Sequence, residues 1–239
     1  MKISRTLSGR AGIVLLLAAM IAASAGTARA QTAPMPAHHG FQDTKRWAKI
    51  FESPERAKWQ KPDEVVKALA LKPGDDVADI GAGTGYFTRR FARAVAPGGI
   101  ATGLDVEPGM VEYMKHDAEK LRLKNYRARL VKPDDPELKP DSVNLVFFCD
   151  VLHHVSGRVA YLKRLQPALK PGGRIAMVDF KSSSPIGPPA RMRIPPAEAI
   201  KEFRQAGYRP VREFHFLPYQ YFIEFAPIPG AAEARRPGR

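Results

Sequence analysis

The sequence predicts an α/β protein: a doubly wound, seven-stranded, mostly parallel sheet finished by a C-terminal antiparallel hairpin. Two observations predict it. Between residues 77 and 180, short apolar strands alternate with helices whose apolar residues recur every three to four positions, and strands in such an alternation pair in parallel with helices on both faces. After residue 210 the alternation stops. Two aromatic-rich strands then follow each other with only Leu217-Pro218 between them, as in a hairpin, so one edge strand is expected to run antiparallel. A length of 239 residues suits one domain with an extension, and 44% hydrophobic with 26% charged residues excludes a disordered chain and a polytopic membrane protein.

In order along the chain, the first helix is expected over Thr44 to Phe51, and the second starts at Ser53-Pro54-Glu55, an N-cap followed by Pro in the first turn. Lys61-Pro62-Asp63 opens a third helix carrying Val65, Val66 and Leu69, which Lys72-Pro73-Gly74 stops. Val77 to Ile80 reads as a buried strand, and Tyr86 to Ala96 as a helix with Phe87, Phe91 and Val95 at four-residue spacing. The expected elements then run strand Ile100 to Asp105, helix Pro108 to Leu123, strand Tyr126 to Val131, strand Val143 to Cys149 and helix Ser156 to Leu169. Strand Arg174 to Phe180 follows the turn Leu169-Lys170-Pro171-Gly172-Gly173. After a loop rich in Pro and Ser (Ser182 to Pro196), a helix to Gly207 leads into the hairpin strands Val211 to Phe216 and Tyr219 to Phe225.

The ends read differently. Lys2, Arg5 and Arg10 precede the apolar run Ile13 to Ala23 and the small-residue site Thr27-Ala28-Arg29-Ala30, the three-part pattern of a secretory signal cleaved after Ala30. That run is short for a membrane span, which needs about 20 apolar residues, so an uncleaved anchor is the alternative. The domain is expected to be exported, to the periplasm or beyond. The expected organisation is therefore a signal over 1–30, a leader and helical cap over 31–61, the main domain over 62–228 and a disordered tail over 229–239. Removing residues 1 to 30, which hold four basic and no acidic residues, lowers the formal net charge from +14 to +10. The remaining Lys and Arg are spread rather than clustered with aromatics, which argues against nucleic acid as a partner and leaves some attraction to anionic lipid. The single cysteine, Cys149, excludes an internal disulfide and a cysteine-based metal site, and it reads as a buried thiol in an apolar strand.

Chemistry enters at Val77-Ala78-Asp79-Ile80-Gly81-Ala82-Gly83-Thr84-Gly85, a strand, a glycine turn and a helix start in immediate succession. Glycines let a ligand approach the backbone, and the helix start offers free N–H groups. Asp105 ends the next strand 20 residues after Gly85, where a carboxylate can accept both hydroxyls of a ribose. The pair reads as a site for an adenosine-containing cofactor. A dinucleotide fingerprint would need glycine at position 86, which is Tyr86. Asp79, just before the loop, would repel a pyrophosphate but suits a ligand that presents an ammonium group. S-adenosylmethionine has an adenosine, an amino-acid ammonium and no phosphate.

On these residues the stretch from about 62 to 225 resembles the class I S-adenosylmethionine-dependent methyltransferases, of the methyltransferase type 11 or ubiquinone-methyltransferase-like sort, with a Rossmann-like fold. The resemblance is carried by Val77 to Gly85, Gly103-Leu104-Asp105, the stretch from Asp141 to His154, and Leu169 to Arg174. It implies that Asp79, Gly81, Ala82, Gly83 and Gly85 hold the methionine part of S-adenosylmethionine, that Asp105 holds the ribose, and that Val106 and Met110 flank the adenine. Asp134 is implied as the acid for the adenine amino group, with Asp135 not separable from it. Two departures stand out. Asn144 replaces the usual Asp of the fourth-strand motif, and an exported enzyme needs its cofactor delivered.

Methyl transfer from a sulfonium is an in-line displacement in which alignment supplies much of the rate. A base is needed only where the acceptor must lose a proton. Asp150, His153 and His154, just past the fourth strand, are the candidates for lining the acceptor site, with one histidine as the base. Trp59 is a candidate lid, Arg191 and Arg193 candidates to attract an anionic acceptor, and His38-His39 a weak metal candidate, so no metal is expected. Tyr219, Tyr221 and Phe222 read as hairpin core. The acceptor is expected to be a small molecule. Two rivals are an exported non-catalytic protein that retains the fold and a nicotinamide-dependent oxidoreductase.

Overall fold

Strand β1 (Val77–Ile80) is buried along its whole length, because it is flanked on both sides by parallel strands and covered on both faces by helices. The computed structural model describes residues 43–229. The expected signal, the leader through residue 42 with His38-His39, and the tail beyond Pro229 lie outside the described residues. Helices α1 (Thr44–Phe51), α2 (Pro54–Gln60) and α3 (Pro62–Ala68) precede β1. They are followed by α4 (Thr88–Ala94), β2 (Ala101–Asp105), α5 (Pro108–Lys120), β3 (Tyr126–Leu130), β4 (Val143–Cys149), α6 (Arg158–Leu165), β5 (Leu169–Phe180), α7 (Pro196–Gln205), β6 (Tyr208–Phe214) and β7 (Gln220–Pro227). The sheet order is β3-β2-β1-β4-β5-β7-β6.

From β1 the chain winds outward through β2 and β3, then returns to the other flank of β1 for β4 and β5, all in parallel. A reversal of this kind opens a crevice at the C-terminal ends of the two central strands, here β1 and β4. Strand β4 shows why the sheet is buried on both faces. Phe147 packs with Phe87 and Phe91 (ring centroids 4.9 Å in each case) on the α3–α4–α5 side, while Phe148 joins Leu162, Leu165 and Phe203 on the α6–α7 side. Asn144, at the other end of β4, accepts the Asp76 N–H (2.8 Å) and so helps join β4 to β1 far from the crevice.

Three expectations need correction. The antiparallel strand is β7, and it lies between β5 and β6 rather than at the edge. It is apolar and buried from Gln220 to Phe225, whereas β6 carries Arg209, Pro210, Arg212 and Glu213, which suit the outer position; Pro210 has no N–H to give and is tolerated only there. The hairpin connection is the five residues 215–219 rather than two, because β6 starts at Tyr208 and ends at Phe214. Strand β5 begins at Leu169, not Arg174: Leu169 already pairs with Val143, and the Pro-Gly-Gly sequence is absorbed as an irregularity within the strand.

Candidate active site

The glycine turn leaves β1 with Gly81, Gly83 and Gly85 all at positive φ (62°, 56° and 74°). At Gly81 the requirement is also spatial, since a Cβ there would lie 2.2 Å from Val151 Cγ2 on the facing β4 end. Gly81 and Ala82 donate to the carbonyl of Leu104 (2.8 and 3.1 Å), which fastens the turn to β2. Asp105, 7% exposed, then accepts from Gly83 N–H on Oδ2 (2.7 Å) and from Glu107 N–H on Oδ1 (3.0 Å). Two main-chain donors thus fix its carboxylate at the crevice edge, and burial raises its pKa against the lowering effect of those donors. Asp79 lies deeper, 3% exposed, with Oδ2 accepting from the Thr88 hydroxyl (2.6 Å). Burial pushes its pKa up to about 7, so a cationic ligand group beside it would be needed to hold it fully ionised.

The other loop-side residues distribute as follows. Val106 is half-buried against the core and Met110 is buried on α5. Asp134 is exposed in the turn after β3, with its carbonyl accepting from Arg164 (2.5 Å), and Asp135 accepts from Glu137 N–H within the same turn. Both follow Leu130, the β3 residue that pairs with Asp105, so this turn sits on the crevice side of the sheet.

A second group forms where β4, β5 and β7 end together. The parallel register of β4 with β5 sets Asp150 beside Asp179, and the antiparallel register of β5 with β7 sets Phe180 beside Gln220. Asp150, at positive φ (57°), accepts from Gln220 Nε2 on Oδ1 (2.6 Å) and from Gln60 Nε2 on Oδ2 (3.0 Å). Both of its oxygens are therefore engaged by amides. Its pKa is raised by burial first and by the charge of Asp179 second. Asp179, fully buried, accepts its neighbour Phe180 N–H on Oδ1 (2.7 Å) and faces His153 Nδ1 on Oδ2 (3.3 Å). The His153 side chain is 3% exposed, whereas His154 is exposed with its ring 4.2 Å from that of His153. Cys149, read from the sequence as a buried thiol, is half-buried beside them; burial still pushes its thiol well up, and Gln60 Nε2 lies 3.0 Å from Sγ.

The cap lies across this crevice. Glu52, closing α1, accepts from the Thr84 hydroxyl (2.5 Å) and from two guanidinium nitrogens of Arg89 (2.9 and 2.7 Å), and Arg89 also meets Asp117 at 3.1 Å. Phe51 covers Gly83, with its ring carbons 3.3 Å from where a Cβ would stand. From α2, Gln60 reaches Asp150 and Gln220, and the Trp59 ring packs on Phe180 (5.7 Å). Trp59 thus joins the cap to the β5 end. Arg193 is no lure for an acceptor: its guanidinium donates to five carbonyls, those of Lys181, Ser182, Ser184, Ile186 and Pro188, and so staples the loop after β5. Arg191 is exposed, and Tyr221 and Phe222 are core, with the Tyr221 hydroxyl donating to the Ile194 carbonyl (3.1 Å). No cluster of metal-ligating side chains occurs among the described residues.

The sequence reading missed Asp179, Gln60, Gln220, Glu52 and Arg89. Asp179 carried a usable signal, an acid closing a buried strand as Asp105 does. The glutamines and the Glu52–Arg89 pair are joined only by the tertiary fold.

Residues 71–205 match a family described as a methyltransferase domain. A demethylmenaquinone methyltransferase of Tropheryma whipplei (strain Twist) is 35% identical over 116 residues, 48% of this chain and 45% of that protein. The chain therefore spans less than half the length of that relative. The ubiquinone/menaquinone biosynthesis C-methyltransferase UbiE of Ectopseudomonas mendocina (strain ymp) is 27% identical over 194 residues, covering 66% of this chain and 70% of that one. Among solved structures, a SAM dependent methyltransferase from Aquifex aeolicus superposes with a TM-score of 0.72 at 26% identity, over 77% of this chain and 97% of that one. With the glycine turn, the two strand-end acids and more than half of the chain matched in one frame, the chain belongs to the methyltransferase domain family.

Proposed function

We propose that this chain binds S-adenosylmethionine and transfers its methyl group to a small-molecule acceptor that must lose a proton. One observation carries the cofactor: the glycine turn is flanked by two buried carboxylates, Asp105 held at its edge and Asp79 beneath it. Such a setting opposes a pyrophosphate and suits a ligand with a ribose at one end and an ammonium at the other. In this reading Asp105 takes the ribose, Asp79 with the backbone of Gly81, Ala82, Gly83 and Gly85 takes the amino-acid end, Val106 and Met110 border the adenine, and Asp134 caps its amino group. The family membership and the names of the relatives support it.

When bound, the cofactor supplies an electrophilic methyl group on a sulfonium. The protein's part is alignment, exclusion of water by the cap and management of one proton. His153 is the base we assign. Asp179 facing Nδ1 leaves Nε2 as the proton acceptor and stabilises the imidazolium that forms. Asp150 holds structure rather than moving a proton, because both of its oxygens accept amide hydrogens. His154, in ring contact with His153, lines the same rim.

The test is incubation of the purified chain with S-adenosylmethionine carrying a labelled methyl group and a panel of quinols, phenols, alcohols, amines and thiols. Label should pass to one proton-losing class. Tight cofactor binding with no transfer to any of them would favour the non-catalytic reading instead. Export is a further part of the proposal, supported by the charge and apolar pattern of residues 1–30. Fractionation of the source cells should recover a mature form beginning at Gln31 outside the cytoplasm, in a basic protein with weak attraction to anionic membranes and none specific to nucleic acid.

A further inference from the structure

Among the described residues, Arg56 is a cation at the crevice that forms no ion pair with a carboxylate. It projects from α2 over Tyr86, the residue that follows the glycine turn, with Cζ 4.2 Å from the ring centroid, while Arg90 stands 4.2 Å from the same centroid. The two guanidiniums differ in what else they meet. Arg90 pairs with Asp63 (3.0 Å), whereas Arg56 donates from Nη1 to the Phe51 carbonyl (3.1 Å) and from Nε to Gln60 Oε1, both uncharged acceptors. Among the described residues its Nη2 donates to nothing, and no carboxylate lies within ion-pair distance of it. The nearby acids are engaged elsewhere: Glu52 by Arg89 and Thr84, Asp150 by Gln60 and Gln220, Asp79 by Thr88.

Gln60, which accepts from Arg56 Nε, donates in turn to Asp150, so Arg56 stands beside the deep groups of the crevice, and its charge lowers the pKa of Asp79 and Asp150. A half-buried cation whose protein partners are all uncharged is costly, and a ligand anion relieves that cost. The arrangement places a cation and an anion, Arg56 and Asp79, within electrostatic reach of each other at the turn. An α-amino acid group presents the complementary pair, a carboxylate and an ammonium, on neighbouring atoms.

We infer that Arg56 binds the carboxylate of the cofactor's amino-acid end, so that the cap is part of the binding site and not only a cover. The inference rests on the cofactor reading above, and its test separates the two. Full-length protein is titrated calorimetrically with S-adenosylhomocysteine and with methylthioadenosine, which keeps the adenosine and the thioether but has no amino-acid group. For the wild-type protein, S-adenosylhomocysteine should bind the more tightly. Arg56→Gln should weaken it by about 10- to 100-fold, the loss expected for a charge-assisted bond, and change methylthioadenosine by less than about twofold. Arg56→Lys should recover part of the loss. Unchanged S-adenosylhomocysteine affinity in Arg56→Gln would overturn the inference and leave the cofactor reading standing, as would equal losses for both ligands, which mark a structural role. Failure of the wild-type protein to bind either ligand would overturn both.

Discussion

His153 and Asp179 decide whether the crevice is a reaction site or only a binding site. If His153 takes the acceptor's proton with Asp179 steadying its ring, His153→Gln should lower kcat by about 10²- to 10⁴-fold, and Asp179→Asn should lower it too, with cofactor affinity unchanged in both. Single-turnover rates alongside calorimetry check this, and equal rates in wild type and His153→Gln would remove the base from the account. A second expectation concerns shape. Gly81→Ala puts a Cβ 2.2 Å from Val151 Cγ2 at a φ of 62°, which should cost about 1–3 kcal/mol of stability, measured by denaturant unfolding, and abolish cofactor binding. At this scale the sequence was most readable where a residue's placement follows from its position along one strand, as for Asp79, Gly81 and Asp105. Asp150 was placed correctly at the β4 end, but its engagement by Gln60 and Gln220 depends on residues 90 and 70 positions away, which no local pattern encodes.

Among the elements, the proposed function leans most on the cap. Helices α1 and α2 were legible from Ser53-Pro54-Glu55 and the spacing around them, yet their seat over the glycine turn rests on Glu52 with Arg89 and Thr84, a pairing with side chains 25% and 14% exposed for Glu52 and Arg89. Because hydrogen bonds to charged groups in such partly buried settings contribute about 1.5–3 kcal/mol, Glu52→Gln should loosen the cap and weaken cofactor binding by roughly tenfold or more. Hydrogen exchange should rise over residues 44–60 and stay unchanged in β1, β4 and β5. Uniformly raised exchange would instead mean that the latch supports the whole fold. The hairpin shows the opposite limit of legibility. Its strands were recognisable from aromatic content, but which of them sits at the edge follows from burial on both faces. The run of exposed residues over 211–213 in β6 and the continuous burial of β7 from Gln220 to Phe225 hold that information only once both strands are aligned with β5.

For the molecule as a whole, the fold and its chemistry meet in the ionisation of Asp79. Burial holds its proton more tightly in the folded than in the unfolded chain, so its contribution to stability is full below the ordinary value of 3.8 and is lost as pH rises towards about 7. Asp79→Asn should therefore gain stability relative to wild type as pH rises between about 4 and 7, followed by thermal melts across that range. Cofactor binding should show the reverse sign. A cationic ammonium favours the ionised carboxylate, so wild-type affinity should increase from about pH 6 to about pH 7.5, and the variant should lose that dependence. The sheet order that sets Asp79 and Asp105 around one turn was predictable from the strand–helix alternation. The antiparallel turn of the C-terminal hairpin was predictable too, but not the placing of β7 inside β6.

The measurement that bears most directly on the central claim is a calorimetric titration of the purified chain with S-adenosylmethionine and, separately, with NADH, each repeated on Asp105→Ala. The account predicts about micromolar binding of S-adenosylmethionine, worth about 8 kcal/mol, that the variant loses, and no binding of NADH. NADH binding, or no binding of S-adenosylmethionine by protein shown to be folded, would contradict it.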